Sequence, residues 1–175
     1  NVAHGQSVTG DVVEAALAEH KPMWAFMAHW ETGSGRVNDI QGFNDACARH
    51  GVMGIVDAVS SLGISYFNID DYPAVTTWAS CPQKGILGLP LTYAPVSFND
   101  KVIELLRKRG CYSYVHHPIL EARHWCIADG QDVETASYHR THSGYAVASF
   151  HEALRLLLLH GRKQKSEDYA FYEKG

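Results

Sequence analysis

The 175-residue chain has the size of one domain, and 46% of its residues are hydrophobic, which is enough for a packed core. Its net charge of -4 and the lack of a long basic run disfavour a nucleic-acid or anionic-membrane partner. The four cysteines form no C-x-x-C pair, so neither a zinc ribbon nor a disulfide framework is expected. Scattered, reduced thiols and the absence of a secretion signal indicate a soluble protein of the cytoplasm or an organelle matrix.

The first half of the chain alternates helix and strand patterns. Helices are predicted over residues 9–20 and 39–50, and strands over 23–28, 52–58, 74–79 and 91–96. The wholly apolar run at 23–28 predicts a strand buried on both faces. The alternation predicts an α/β fold with a mostly parallel sheet, whose ligands bind beyond the carboxyl ends of its strands.

The second half is less regular. An amphipathic helix is predicted over 102–110 and a strongly apolar one over 149–160, with a His-rich and aromatic-rich stretch between them. Residues 162–175 are charged, and we expect them to form a solvent-facing tail or the start of a linker helix. The chain begins at Asn1 and not at Met, which is typical of a fragment or a processed piece.

Two residues that follow predicted strands have the chemistry of one particular cofactor. A pyridoxal-type aldehyde needs a lysine that holds it as an imine and an acid that keeps the ring nitrogen protonated. Lys84 and Asp57 meet these needs. Each also has an ordinary interpretation, because a lone loop lysine is usually a solvated surface residue and an aspartate after a strand is often a cap.

Two linked motifs resemble the class V aminotransferases of fold type I. IVDAVSSLG at 55–63 and SCPQKG at 80–85 are similar, in order and nearly in spacing, to the D-A-V-S-S-x-G and small-x-Q-K motifs of that family. Within it, the alanine–glyoxylate and serine–pyruvate aminotransferases look most similar. The resemblance implies that residues 1–161 are the large, cofactor-binding domain, incomplete at both ends relative to the family.

The resemblance also implies a role for each motif residue with pyridoxal 5′-phosphate. Asp57 would pair with the ring nitrogen, Val59 would pack on one ring face, Gln83 would reach the ring hydroxyl and Lys84 would form the Schiff base. HWETGSG at 29–35 resembles the family's H-x-E-[ST]-x-[ST]-G loop, which places Thr32 beside the cofactor.

A further segment implies a shared active site. YHRT at 138–141 resembles the Y-H-x-T segment that reaches the cofactor phosphate of the neighbouring subunit, so Tyr138 and Thr141 are expected to bind cofactor in a homodimer or with a complementing chain. The implied reaction moves an amino group from a small amino acid to a 2-oxoacid such as glyoxylate or pyruvate, with Lys84 as the proton carrier.

Other interpretations remain open. Val59 and His29 are also typical core residues, and the histidine pairs at 116–117 and 139 with 142 have no carboxylate or cysteine at a ligand spacing, so no metal site is expected. Three arginines, Arg36, Arg123 and Arg140, are candidate binders of a substrate carboxylate, although surface ion pairs are the commoner role.

The departures from the family concern the phosphate and the chain ends. Pro82 stands where many relatives have a serine that helps to hold the phosphate, so a hydroxyl and an N–H are lost. The Gly-rich phosphate-binding turn and the small domain of the family fall outside residues 1–175. The chain is therefore part of a longer aminotransferase, a subunit of a split enzyme, or a non-catalytic relative; a lyase or desulfurase with the same lysine and aspartate is a further alternative.

Overall fold

The computed structural model describes residues 2–65, 67–86, 88–90, 93–125 and 137–164, with side chains up to residue 159. The chain divides into two compact units, residues 1–97 with 144–175 and residues 98–143. The helices are α1 (Gly10–His20), α2 (Ile40–His50), α3 (Asp100–Arg109), α4 (Pro118–His124) and α5 (Gly144–Gln164). The strands are β1 (Trp24–Ala28), β2 (Trp30–Glu31), β3 (Arg36–Val37), β4 (Met53–Asp57), β5 (Val75–Ala79) and β6 (Val96–Phe98). None of the helices in these ranges combines the length and apolar character that a membrane crossing requires.

A four-stranded sheet with the order β1–β4–β5–β6 organises the first unit. β4 runs parallel to β1 on one side, with Asp57 opposite Ala28, and parallel to β5 on the other, with Asp57 opposite Ala79. β2 and β3 form a separate antiparallel pair. The predicted α/β fold with a mostly parallel sheet is confirmed, and the loops after β1, β4 and β5 leave the sheet at the same edge.

β1 is an edge strand of this sheet, and the described residues cover only one of its faces. Met27 is buried, whereas Phe26 is 67% exposed and Trp24 is 36% exposed. The prediction that this run is buried on both faces is wrong. An unbroken apolar run fits a strand between two layers, but α1 and α2 pack only on the face that Met27 shares with Val56.

Asp39 joins the starts of α1 and α2. Its Oδ1 accepts a hydrogen bond from the Gly42 N–H at 2.8 Å, and its Oδ2 accepts one from the Gly10 N–H at 3.0 Å. Thr9, the residue before α1, makes no capping bond with its side chain. A Cβ on Gly10 would lie 2.9 Å from the Cα of Gly42. The two helices therefore pack backbone to backbone where the aspartate caps both.

The core of the first unit lies between these helices and the sheet. Buried side chains from both layers form it, among them Leu17, Phe43, Ala46, Cys47, Val56, Val75 and Trp78. Burial also raises the pKa of the Cys47 thiol to about 11. This thiol is thus a packing residue and not a nucleophile.

Two predicted boundaries in the later part of the chain shift. The fourth strand is β6 and not residues 91–96. Pro95 has no N–H to donate to a ladder, and its carbonyl accepts a hydrogen bond from the Ser80 N–H at 2.9 Å. Residues 91 and 92 lie outside the described ranges. α5 begins before the predicted residue 149 and continues to Gln164, while residues 165–175 are not described, so the division at residue 161 stays a prediction.

Glu121 on α4 connects the parts of the second unit. Its carboxylate accepts hydrogen bonds from Arg140 Nε and, at 3.1 Å, from Trp125 Nε1, and His139 Nε2 lies 3.5 Å from it. Burial raises the pKa of Glu121, but the hydrogen bond and charge of Arg140, together with the Trp125 hydrogen bond and the His142 charge, leave it below its usual value. Arg140 is therefore an ion-pair residue, as its commoner role suggests.

Candidate active site

Three loops leave the carboxyl edge of the sheet side by side. The His29 N–H donates to the Asp57 carbonyl at 2.8 Å, and the Ala58 N–H donates to the Ala79 carbonyl at 2.7 Å. These bonds extend both parallel pairs by one residue past the strands. The loops that follow β1, β4 and β5 therefore start at one level.

Asp57 ends β4, and its side chain is held by its own loop. Its Oδ1 accepts a hydrogen bond from the Val59 N–H at 2.8 Å, and the side chain is half-buried. Among the residues that the structure describes, no ion pair includes Asp57. A half-buried carboxylate without a cation is a suitable partner for a protonated ring nitrogen.

Lys84, in the loop after β5, is tied to the other two loops by hydroxyl groups. Its Nζ donates to Thr32 Oγ1 at 3.0 Å, and Thr32 Oγ1 lies 2.6 Å from Ser60 Oγ. No carboxylate pairs with this amine in the described part of the chain. The amine is thus held by neutral groups and exposed to solvent.

The loops that carry Ser60 and Lys84 also touch through their backbones. The Gly85 N–H donates to the Val59 carbonyl at 3.5 Å, and a Cβ on Gly63 would lie 2.5 Å from the Gly85 carbonyl oxygen. Gly63 has a φ of +90°, which other residues rarely adopt. Because Gly63 ends the DAVSSLG motif and has no side chain, the lysine loop can approach the loop after β4 this closely.

His29 supports these loops from the core side. It is 6% exposed, its Nδ1 lies 3.0 Å from Ser61 Oγ, and its ring packs edge-on against Phe67. Burial lowers the pKa of His29, so the imidazole is neutral at neutral pH. The interpretation of His29 as a satisfied core histidine is confirmed.

The other predicted contacts of the first unit lie in the same loops. Val59 is half-buried beside Asp57. Gln83 precedes Lys84 and is exposed, and its side chain makes no hydrogen bond within the described residues. The structure thus gathers five of the seven predicted site residues in loops at one sheet edge; their roles toward a cofactor stay predictions.

The remaining two predicted residues, Tyr138 and Thr141, lie in the second unit. Both are exposed, and their hydroxyls are hydrogen-bonded to each other. Arg140, between them, is engaged by the Glu121 carboxylate. Two adjacent hydroxyls, on a segment that the Arg140–Glu121 ion pair holds in place, can donate hydrogen bonds to a phosphate group. Their role toward a cofactor also stays a prediction.

Sequence reasoning missed Ser60. It follows Val59 within the DAVSSLG motif, so the motif itself contained the signal. A serine in a loop after a strand is also an ordinary turn residue, and nothing in its spacing indicates a contact with Thr32, 28 positions earlier.

The donor set of these loops fits pyridoxal phosphate. Within the described ranges, the Lys84 amine pairs with no carboxylate and the Asp57 carboxylate pairs with no cation. Direct pairing of the two would have left neither available. A ligand with an aldehyde and a basic ring nitrogen satisfies both groups at once.

Several known proteins that are similar to this chain in sequence and fold are named aminotransferases or transaminases. Over 159 residues the chain is 31% identical to alanine–glyoxylate aminotransferase of Oryctolagus cuniculus, covering 90% of this chain and 39% of that protein. It is 24% identical over 166 residues to (S)-ureidoglycine–glyoxylate transaminase of Bacillus subtilis (strain 168), covering 87% and 39%. The crystal structure of alanine–glyoxylate aminotransferase from Nostoc sp. matches with a TM-score of 0.75 and 27% identity, over 87% of this chain and 38% of that one. No protein-family model matches the chain.

The chain spans 39% of the length of the curated relatives named above. The similarity nevertheless covers most of the chain, and the sheet, its parallel order and the linked D-A-V-S-S-x-G and Q-K-G loops accompany it. Over most of its length the chain therefore has the sequence pattern and the fold of the class V aminotransferases of fold type I.

Proposed function

We propose that the chain forms the cofactor-holding part of a pyridoxal 5′-phosphate-dependent transaminase. The observation that carries this proposal is the Lys84 amine, held by Thr32, at the same sheet edge as an Asp57 carboxylate that has no cationic partner among the described residues. The amino group would pass from a small amino acid to a 2-oxoacid such as glyoxylate or pyruvate. The names of the two curated relatives support glyoxylate as the acceptor.

Five residues of the first unit would hold the cofactor. When bound, pyridoxal phosphate supplies an aldehyde and a ring that accepts electrons. Lys84 binds at the aldehyde, Asp57 at the ring nitrogen and Gln83 at the ring hydroxyl, while Val59 packs against a ring face and Thr32 lies beside it. The Asp57 charge keeps the ring nitrogen protonated, which maintains the ring's electron demand.

Lys84 would also move the proton. A free amine at this position would take the proton from the Cα of the substrate amino acid and deliver it to C4′, the former aldehyde carbon of the cofactor. Such a transfer requires a short, defined path, and the hydrogen bond to Thr32 gives the flexible lysine side chain a preferred position. Thr32 is thus the residue that orients the base.

Tyr138 and Thr141 are proposed to reach the phosphate of a cofactor in a second copy of the chain or in a complementing chain. This assignment rests on the Y-H-R-T motif and on the paired hydroxyls at an exposed position. A partner-requiring subunit is therefore the main alternative to a chain that is active alone. It would bind cofactor only when the partner is added.

A desulfurase or other lyase of this fold is less well supported. A desulfurase needs a mobile cysteine near the cofactor. Cys81 lies between Ser80 and Pro82, both of which are buried, so the main chain at this position is anchored on both sides.

The test is an absorption titration of the purified chain with pyridoxal phosphate, followed by borohydride reduction and mass mapping. Native chain and Lys101→Ala, an exposed-lysine control on α3, should show an imine band and a label on Lys84, whereas Lys84→Ala should show neither. A band of equal strength in Lys84→Ala would contradict the proposal. If binding occurs, alanine and serine with glyoxylate or pyruvate are the substrate pairs to assay first.

A further inference from the structure

Ser60 has a contact that the roles above do not use. Its hydroxyl lies 2.6 Å from that of Thr32, which accepts the hydrogen bond from Lys84 Nζ at 3.0 Å. Three side chains from three different loops thus form one continuous chain of hydrogen bonds. We propose that Ser60 is a positioning residue that acts through Thr32 to hold the Lys84 amine, whether or not that amine is protonated. The proposal rests on the proposed function of Lys84 as the reactive amine.

The direction of each hydrogen bond in this chain of hydroxyls depends on whether the lysine is protonated. A protonated lysine has three donors and no acceptor, so it donates to Thr32 Oγ1, and the Thr32 hydrogen then points to Ser60 Oγ. A neutral amine has a lone pair. Both hydroxyl hydrogens then turn round: Ser60 donates to Thr32, and Thr32 donates to the amine. Without Ser60, Thr32 could still turn its hydroxyl hydrogen. With Ser60 beside it, Thr32 donates one hydrogen bond and accepts another both when Lys84 is protonated and when it is neutral.

The backbone fixes where Ser60 stands. Asp57 holds the Val59 N–H through Oδ1 at 2.8 Å, and the Val59 carbonyl accepts from the Gly85 N–H at 3.5 Å. Val59, the residue before Ser60, is therefore hydrogen-bonded both to Asp57 and to Gly85, the residue after Lys84. These backbone contacts join the loop after β4 to the lysine loop, and the Ser60–Thr32–Lys84 hydrogen bonds join the same two loops through side chains.

Solvent sets the size of the effect. Thr32 and Lys84 are exposed and Ser60 is half-buried, so water can replace a deleted hydroxyl in part. A single hydrogen bond of this kind changes a local equilibrium by about three- to tenfold. The effect should appear in the reactivity of one amine and not in the stability of the whole chain.

The test uses an amine reaction that needs no cofactor. Reductive methylation with formaldehyde and cyanoborohydride, read by isotope-labelled mass mapping, gives the rate of Lys84 relative to that of Lys101 in the same molecule. Ser60→Ala should raise this ratio about three- to tenfold, because the amine is less restrained. Ser60→Thr, which keeps a hydroxyl, should restore the native ratio. Ser149→Ala removes a hydroxyl that bonds the Tyr145 carbonyl within α5 and should leave the ratio unchanged.

A double-mutant cycle decides whether Ser60 acts through Thr32. In a Thr32→Val background, Ser60→Ala should have no further effect on the Lys84 ratio. The same fold-change in both backgrounds, or an unchanged ratio in Ser60→Ala alone, would overturn the proposal. Ser60→Cys, which is close in size and bonds weakly, serves as a second variant if the alanine variant fails to fold.

The cycle and the cofactor titration fail independently. Coupled rates without a cofactor label on Lys84 would refute the transaminase proposal for this chain on its own and leave the hydroxyl chain intact. A cofactor label on Lys84 with uncoupled rates would support the transaminase proposal and refute the role of Ser60.

Discussion

Gly63 and Gly85 meet so closely that neither position has room for a side chain. A Cβ on Gly63 would lie 2.5 Å from the Gly85 carbonyl oxygen, and a Cβ on Gly85 would collide with the Leu62 carbonyl. The two glycines belong to the two motifs that define the family resemblance. One loop carries the acid and the other carries the lysine, and the absence of side chains at the two glycines lets these loops touch.

Gly85→Ala should therefore displace the lysine loop. The methyl group overlaps a main-chain carbonyl that cannot rotate away, and such overpacking costs about 1–3 kcal/mol. We expect a lower urea midpoint and a loss of the cofactor label on Lys84. Gly144→Ala, where a Cβ meets no atom within 4 Å, is the matched control and should behave as the native chain does. Equal labelling in both variants would show that the glycine contact does not position the lysine.

Asp57→Asn should separate structure from chemistry. The amide oxygen of asparagine can still accept the Val59 N–H, so the loop after β4 should keep its shape. The negative charge that pairs with the ring nitrogen is lost, and removal of one preorganised electrostatic group typically lowers a rate by about 10²–10³-fold. Single-turnover transamination, followed by absorbance, measures this. Asp45→Asn on α2 is the control, and a rate close to native in Asp57→Asn would remove Asp57 from the mechanism.

His29 should make stability depend on pH. Burial lowers its pKa in the folded chain from an ordinary value of 6.5, so between those two values the unfolded chain binds more protons than the folded one. The neutral ring contributes stability that is fully present above about pH 6.5 and is lost as the pH falls through the folded pKa. Urea midpoints at about pH 8 and about pH 5.5 should therefore differ less in His29→Asn than in the native chain. His4→Asn, an exposed control, should keep the native difference.

Asp39→Ala should destabilise the first unit without touching the site. The substitution removes acceptors from the Gly10 and Gly42 N–H groups at two helix starts, and loss of one such cap costs about 1 kcal/mol. We expect a loss of about 1–2 kcal/mol in the free energy of unfolding. Asp39→Asn keeps one acceptor and should lose less. Equal losses in the two variants would mean that the negative charge, and not the capping geometry, is what matters.

The sequence alone was sufficient for the order of elements near the site. The helix predicted over 39–50 is followed by Gly51, and the structure ends α2 at that glycine, which has a φ of +65°. The strands β4 and β5 were predicted because short apolar runs between turn residues are typical of buried strands. Both are central strands of the sheet. The pairing of Asp57 with Lys84 as candidates followed from linked motifs, which are local in sequence.

Only the tertiary structure determined which faces are covered and which side chains meet. β1 has the same apolar composition as a central strand, yet Phe26 is exposed, because composition does not say how many layers pack on a sheet. The contact between Thr32, Ser60 and Lys84 joins residues up to 52 positions apart. Such contacts form because parallel strands bring their loops to one edge of the sheet. The spacing of the residues along the sequence does not predict them. The residues that carry the chemistry are thus encoded locally, whereas the hydroxyl chain that positions the lysine is a product of the fold.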